Sequence, residues 1–240
     1  SAGSGSIYDT LMASSSDEPF SQYGLIAESV ETPADRSWVS FTLRKEARWH
    51  DGQPITVEDV IWTFNTLVEK GRPFYRFYYG SVAKAERISE RTVKFTFRAG
   101  ENRELPLILG QLTVLPKHYW EGRDFESTTL EPPLGSGPYR IAAFEPNRNV
   151  ILERVPDYWA RDLGVKKGMD NYGRIRFEYY RDTAVALEAF KAGDVDIRSE
   201  NSAKDWATAY DTPAVRNGLI KKQEFKHSRT AGMQGFVFNM

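Results

Sequence analysis

The 240-residue chain carries 40% hydrophobic and 27% charged residues at a formal net charge of -1, so a core can form and neither nucleic acid nor an anionic membrane is favoured as partner. It has no cysteine, which excludes disulfides, thiolate metal sites and a cysteine nucleophile, and no apolar run approaches membrane-spanning length. The 6 Trp, 12 Tyr and 14 Phe suit either packing or an amphipathic binding cleft.

Residues 1–6 are Ser, Ala and Gly and read as a flexible lead. Ile7, Tyr8 and Leu11 are spaced for a short helix, residues 14–19 are loop-like, and residues 23–30 hold a short strand before a turn at 33–36. Trp38, Val39, Phe41 and Leu43 against Ser40, Thr42 and Arg44 predict a half-buried strand. Asp51-Gly52 is a turn pair. Thr56 and Asp59 have capping-box spacing, and Val60, Ile61, Phe64, Leu67 and Val68 fall on one helix face that Gly71 ends.

Residues 74–79 are aromatic except Arg76. They fit a core segment or a cleft wall, with Phe77 a candidate ligand contact in the second case. Residues 82–88 and the alternating Val93, Phe95 and Phe97 read as strands, and residues 104–109 as a short helix. His118 has no ligand-spaced neighbours, so packing or capping is favoured over metal binding. Gly135-Ser136-Gly137-Pro138 is neither a nucleophile elbow nor a dinucleotide fingerprint; it reads as a tight loop that brings two elements close. Val150, Ile151 and Leu152 centre one strand; Ile175, Phe177 and Tyr179 mark the next. A helix capped at Asp182-Thr183, Gly193 and a short strand at 194–197 then predict a βαβ unit.

Ligands of open α/β sheets bind beyond strand carboxyl ends, which directs attention to residues 198–202 and the helix expected over 203–210. Glu200 or Asp205 suits an amino group. Asn201 and Ser202 either cap the helix or offer an anion site, and Trp206 is buried or lines the cleft. Glu200 with Asp205 is also the carboxylate pair a hydrolase would need, but no nucleophile–base motif accompanies it. Residues 219–225 and 232–239 read as closing strands.

Several runs together carry a family resemblance: residues 38–60 with Trp49-His50-Asp51-Gly52, the Leu115-Pro116-Lys117-His118 segment, Gly135 to Arg140, Pro156-Asp157-Tyr158-Trp159, and residues 189–196. The chain resembles family 5 extracellular solute-binding proteins, the peptide receptors of bacterial ABC importers. Residues 11–14, 18–20, 103–107, 119–125, 202–207 and 232–239 resemble the subgroup that takes up oligopeptides and microcin C. The resemblance implies a mixed α/β, type II periplasmic binding fold: a β-rich accessory subdomain at 7–136, part of the main ligand-binding lobe at 137–240, and a second lobe absent from this chain. It implies a non-catalytic, periplasmic receptor without cofactor, monomeric or paired with the remainder of its own chain, whose partners are a peptide and an inner-membrane permease. It places Tyr79 where peptide-binding relatives put a ligand-contacting aromatic, and Gln234 on the strand before the hinge as a further contact. Oligosaccharides, opines and metal chelates are ligands of other members.

Overall fold

The structure, a computed structural model, describes residues 4–15, 17–98 and 102–226. A short helix α1 (Ser4–Ile7) leads into a two-stranded hairpin, β1 (Met12–Ser14) and β2 (Gln22–Gly24). β3 (Ala27–Glu31) and β4 (Trp38–Leu43) then enter a four-stranded antiparallel sheet. Alternation along β4 sends Val39, Phe41 and Leu43 into the core.

α2 (Val57–Lys70) lies against that sheet. Thr56 Oγ1 accepts from the Asp59 amide at 3.3 Å and Asp59 Oδ2 accepts from the Thr56 amide at 2.8 Å, the reciprocal pair expected of a capping box. The helix buries Val57, Val60, Phe64 and Leu67, and the Phe64 and Phe95 rings meet edge-on with centroids 5.4 Å apart. Gly71 ends it with a φ of -72°, so its value there is not left-handed geometry. A Cβ at this position would lie 2.3 Å from the Leu67 carbonyl oxygen.

The aromatic run folds as α3 (Pro73–Tyr78). β5 (Val82–Arg87) and β6 (Thr92–Phe97) complete the sheet in the order β3-β4-β6-β5. α4 (Leu105–Gly110) and α5 (Lys117–Trp120) follow. The chain between them is sewn to α2: Thr63 Oγ1 accepts from the Leu115 amide at 2.9 Å, and Asp59 Oδ1 accepts from the Lys117 amide at 2.8 Å. His118 Nε2 lies 2.8 Å from Asp51 Oδ2 and its ring sits edge-on to Trp49. It thus holds the turn after β4 to α5.

The Gly135–Gly137 loop joins this body to the rest. The Ser136 and Gly137 amides donate to the Ile7 carbonyl at 3.0 and 2.7 Å, and His50 Nε2 lies 2.8 Å from the Gly137 carbonyl. Both glycines are needed for the approach, since a Cβ would lie 2.3 Å from Ile7 O at Gly135 and 2.5 Å from Ser6 O at Gly137. Buried Asp9 completes the joint. Tyr158 Oη donates to its Oδ1 at 2.8 Å, Trp159 Nε1 donates to its Oδ2 at 3.1 Å, and its amide donates to Ser136 Oγ at 3.0 Å. The loop, the Trp49-His50 turn and the Tyr158-Trp159 turn therefore meet around the start of the chain.

Beyond the joint, β7 (Tyr139–Glu145), β8 (Asn149–Arg154) and β9 (Arg174–Glu178) form an antiparallel sheet in that order. Tyr139 and Leu152 pack on Ile7 beneath it. α6 (Thr183–Ala192) is capped by Asp182, whose Oδ1 accepts from the Ala184 amide at 2.7 Å, and ends at left-handed Gly193. α7 (Ala203–Thr208) and α8 (Pro213–Arg216) follow.

Residues 4–6, expected in a flexible lead, belong to α1, and Tyr8 and Leu11, expected in a short helix, lie beyond its end. Two further expectations fail. Residues 194–197 and 219–225 form no strand, so the βαβ unit is incomplete among the described residues. A strand needs a neighbour to satisfy its backbone; among the described residues β9 pairs only with β8. Ile197 and Leu219 stand exposed instead. The closing strand expected at 232–239 lies outside the described residues.

Candidate functional site

The segment after α6 lines a hollow of mixed aromatic and charged character. Gly193 turns the chain and the Asp194 amide donates back to Ala189 O at 3.0 Å. Residues 194–201 then run without regular structure until Ser202 caps α7, its Oγ accepting from the Asp205 amide at 3.1 Å. Phe190, Arg198, Glu200, Trp206, Tyr210 and Ile220 line a cavity of about 330 Å³. Its walls are aromatic: Tyr210 meets Phe190 edge-on at 6.4 Å and Trp206 at 6.3 Å. Lys222 Nζ lies 4.4 Å from the centroid of the Trp206 ring.

Glu200 is the organising polar group. Its side chain is only 5% exposed. Oε1 accepts from the Ser202 amide at 2.8 Å, and Oε2 accepts from Tyr210 Oη at 2.7 Å and from Arg198 Nη2 at 3.3 Å. The Ser202 amide first, then the Tyr210 hydroxyl and the Arg198 guanidinium, hold the carboxyl below its ordinary range against the cost of desolvation. Desolvation, with Glu200 as acceptor, pushes the Tyr210 hydroxyl up. A carboxylate held ionised in this way does not fit the raised general acid of a two-carboxylate hydrolase.

The cavity takes in two of the residues picked out from the sequence, Glu200 and Trp206. Asn201, Ser202 and Asp205 stand beside it in the cap of α7. Phe77 and Tyr79 are on α3 and at its end, and no described contact links them to the cavity. Phe77 is 88% exposed, whereas Tyr79 is 5% exposed and packs on Phe64, Tyr75 and Tyr78. Gln234 lies outside the described residues. Arg198 opens the 198–202 segment but is not among the contacts expected from the sequence. Its spacing of two from Glu200 in an extended run, which puts both side chains on one face, is the signal that finds it. Among the described residues no group of three or more His, Asp or Glu is arranged to hold a metal ion.

Comparison with known proteins places these features in context. The family model for bacterial extracellular solute-binding proteins, family 5 Middle, matches residues 22–240. The "Probable peptide-binding protein YejA" of Agrobacterium fabrum is 46% identical over 243 residues, covering 98% of this chain and 39% of that relative. The "Peptidoglycan-binding protein YepA" of the same organism is also 46% identical, over 97% of this chain and 39% of the relative. The chain thus spans about two fifths of the length of these curated relatives. Among solved structures, that of AgaA from A. tumefaciens R10 in complex with agropinic acid is similar with a TM-score of 0.72 and 26% identity, over 87% of this chain and 40% of that one.

Proposed function

The chain belongs to the bacterial extracellular solute-binding proteins of family 5, and from that premise we propose that it is part of a periplasmic receptor that captures oligopeptides, microcin C-type peptides included, and delivers them unaltered to an inner-membrane ABC permease. The observation that carries this reading is the 46% identity, over 98% of the chain, to a relative named for peptide binding. The cavity fits the role. Aromatic walls at Trp206, Tyr210 and Phe190 accept varied side chains, and a fixed polar cluster orients one end of a ligand. In this reading residues 7–136 are the accessory subdomain and 137–240 belong to the ligand-binding lobe. Phe77, Tyr79 and Gln234 are assigned to the wall of a cleft completed by the rest of the full-length protein, with Asn201, Ser202 and Asp205 at its polar end. The receptor works as a monomer and closes on its cargo by a hinge motion.

A second reading keeps the fold and changes the cargo. A relative equally similar to this chain is named for peptidoglycan binding, and the AgaA structure is a complex with agropinic acid. A sugar-bearing or opine-like molecule would use the same aromatic walls. Native mass spectrometry of the full-length protein as purified separates the two. A retained mass equal to a short peptide supports the first reading; a retained muropeptide, oligosaccharide or opine mass replaces it with the second.

A further inference from the structure

Resting on the reading of this chain as part of a solute receptor, we infer that the cavity beside α7 receives the carboxylate end of its ligand, through Arg198, and not an amino group through Glu200. The two form one ion pair, but only Glu200 has both of its polar atoms taken up. Both of its oxygens are occupied, by the Ser202 amide on one side and by Tyr210 and Arg198 on the other. An ammonium group approaching it would have to displace a hydroxyl at 2.7 Å or compete with a guanidinium. Arg198 is used less completely. Its Nε and Nη2 make three contacts of 3.3–3.4 Å, all longer than good charge-assisted hydrogen bonds, and Nη1 has no partner among the described residues. The Arg198 side chain is only 16% exposed while its unpartnered Nη1 stays accessible, so an incoming acceptor can reach it in a partly shielded site and gains more there than it would on the open surface.

The balance of charge around the cavity points the same way. Arg198, Lys221 and Lys222 line it against Asp196 and Glu200. Lys222 is engaged with the Trp206 carbonyl and ring, and Glu200 is saturated. Lys221 makes no described hydrogen bond or ion pair, so with Arg198 and Glu200 set against each other the two lysines face the single carboxylate of Asp196 and the cavity keeps an excess of positive charge. The body of the cavity is apolar and aromatic, from Phe190, Ile220 and Trp206. A group that satisfies both parts is a carboxylate attached to an apolar side chain: the C-terminal residue of a peptide, or the acid end of an opine. Glu200 then acts as a positioning residue, fixing the plane of Arg198 and the Tyr210 hydroxyl.

Calorimetric titration of the full-length protein with one apolar tripeptide, as free acid and as C-terminal amide, tests this. Amidation is expected to weaken binding about tenfold or more in the native protein, and by less than about twofold in Arg198→Gln, while Arg198→Lys keeps part of the preference. Glu200→Gln, which keeps an acceptor, should narrow the acid–amide gap without abolishing binding of the amide. Equal affinity for acid and amide in the native protein overturns the inference and leaves the receptor reading standing. So does an acid–amide gap of the same size in native protein and Arg198→Gln. No heat with either form sinks the peptide reading and this inference together.

Discussion

At the scale of single residues, Asp9 is the position with the most to lose. Its carboxyl is 2% exposed, and burial pushes it up to about 7, opposed by the Lys166 ammonium and by the hydrogen bonds from Tyr158 and Trp159. The consequence has a definite sign. With the folded value raised above the ordinary 3.8, the native state binds more protons than the unfolded chain between about pH 4 and 7. The contribution of this group is therefore fully present below pH 4 and is lost as pH rises through 7. A pKa unit is worth about 1.4 kcal/mol, so the change amounts to a few kcal/mol. Urea unfolding of Asp9→Asn across pH 4–8 should show a flatter dependence than the native protein; an unchanged slope would place the titration elsewhere. Asp9 drew no attention in the sequence because nothing local marks it: its partners are 127 to 150 residues away.

At the scale of elements, the strand–turn–helix unit over 38–71 was legible because its signals are local. Period-two alternation, an Asp-Gly turn and a capping box each lie within a few residues of the structure they specify. Thr56→Ala should remove the side-chain cap of α2 and destabilise the protein by about 1 kcal/mol, read as a lower urea midpoint at unchanged m-value. A midpoint equal to native would mean the cap contributes nothing. The Gly-Ser-Gly-Pro loop was legible as a close approach, but its partner, Ile7, was not. Gly137→Ala drives a Cβ to 2.5 Å from Ser6 O and should cost more than about 1 kcal/mol by the same assay; a neutral effect would show that the joint can open. The strands expected at 194–197 and 219–225 misled for the opposite reason. Their residues suit a strand, but pairing is decided by a neighbour the short pattern does not contain. The cavity was half legible. Glu200 and Trp206 follow from the polar segment ahead of a helix, whereas the engagement of Glu200 by Arg198 and Tyr210 depends on the way the chain turns back over ten residues.

At the scale of the molecule, two packed regions meet at the joint around Asp9, Ser136 and Trp159, with the larger aromatic core on one side and the three-stranded sheet on the other. No helix among the described residues is long and apolar enough to cross a membrane. The buried hydrogen bonds of the joint tie the two regions together, so weakening it should lower stability. The cavity beside α7 then presents one firm polar anchor and otherwise tolerant aromatic walls, a combination suited to cargo that varies in sequence but not in its end group. The most direct test is isothermal titration of the full-length protein with a library of short peptides. Saturable heat with members of that library is the expected result; absence of heat with every one of them would contradict capture of peptides by this protein.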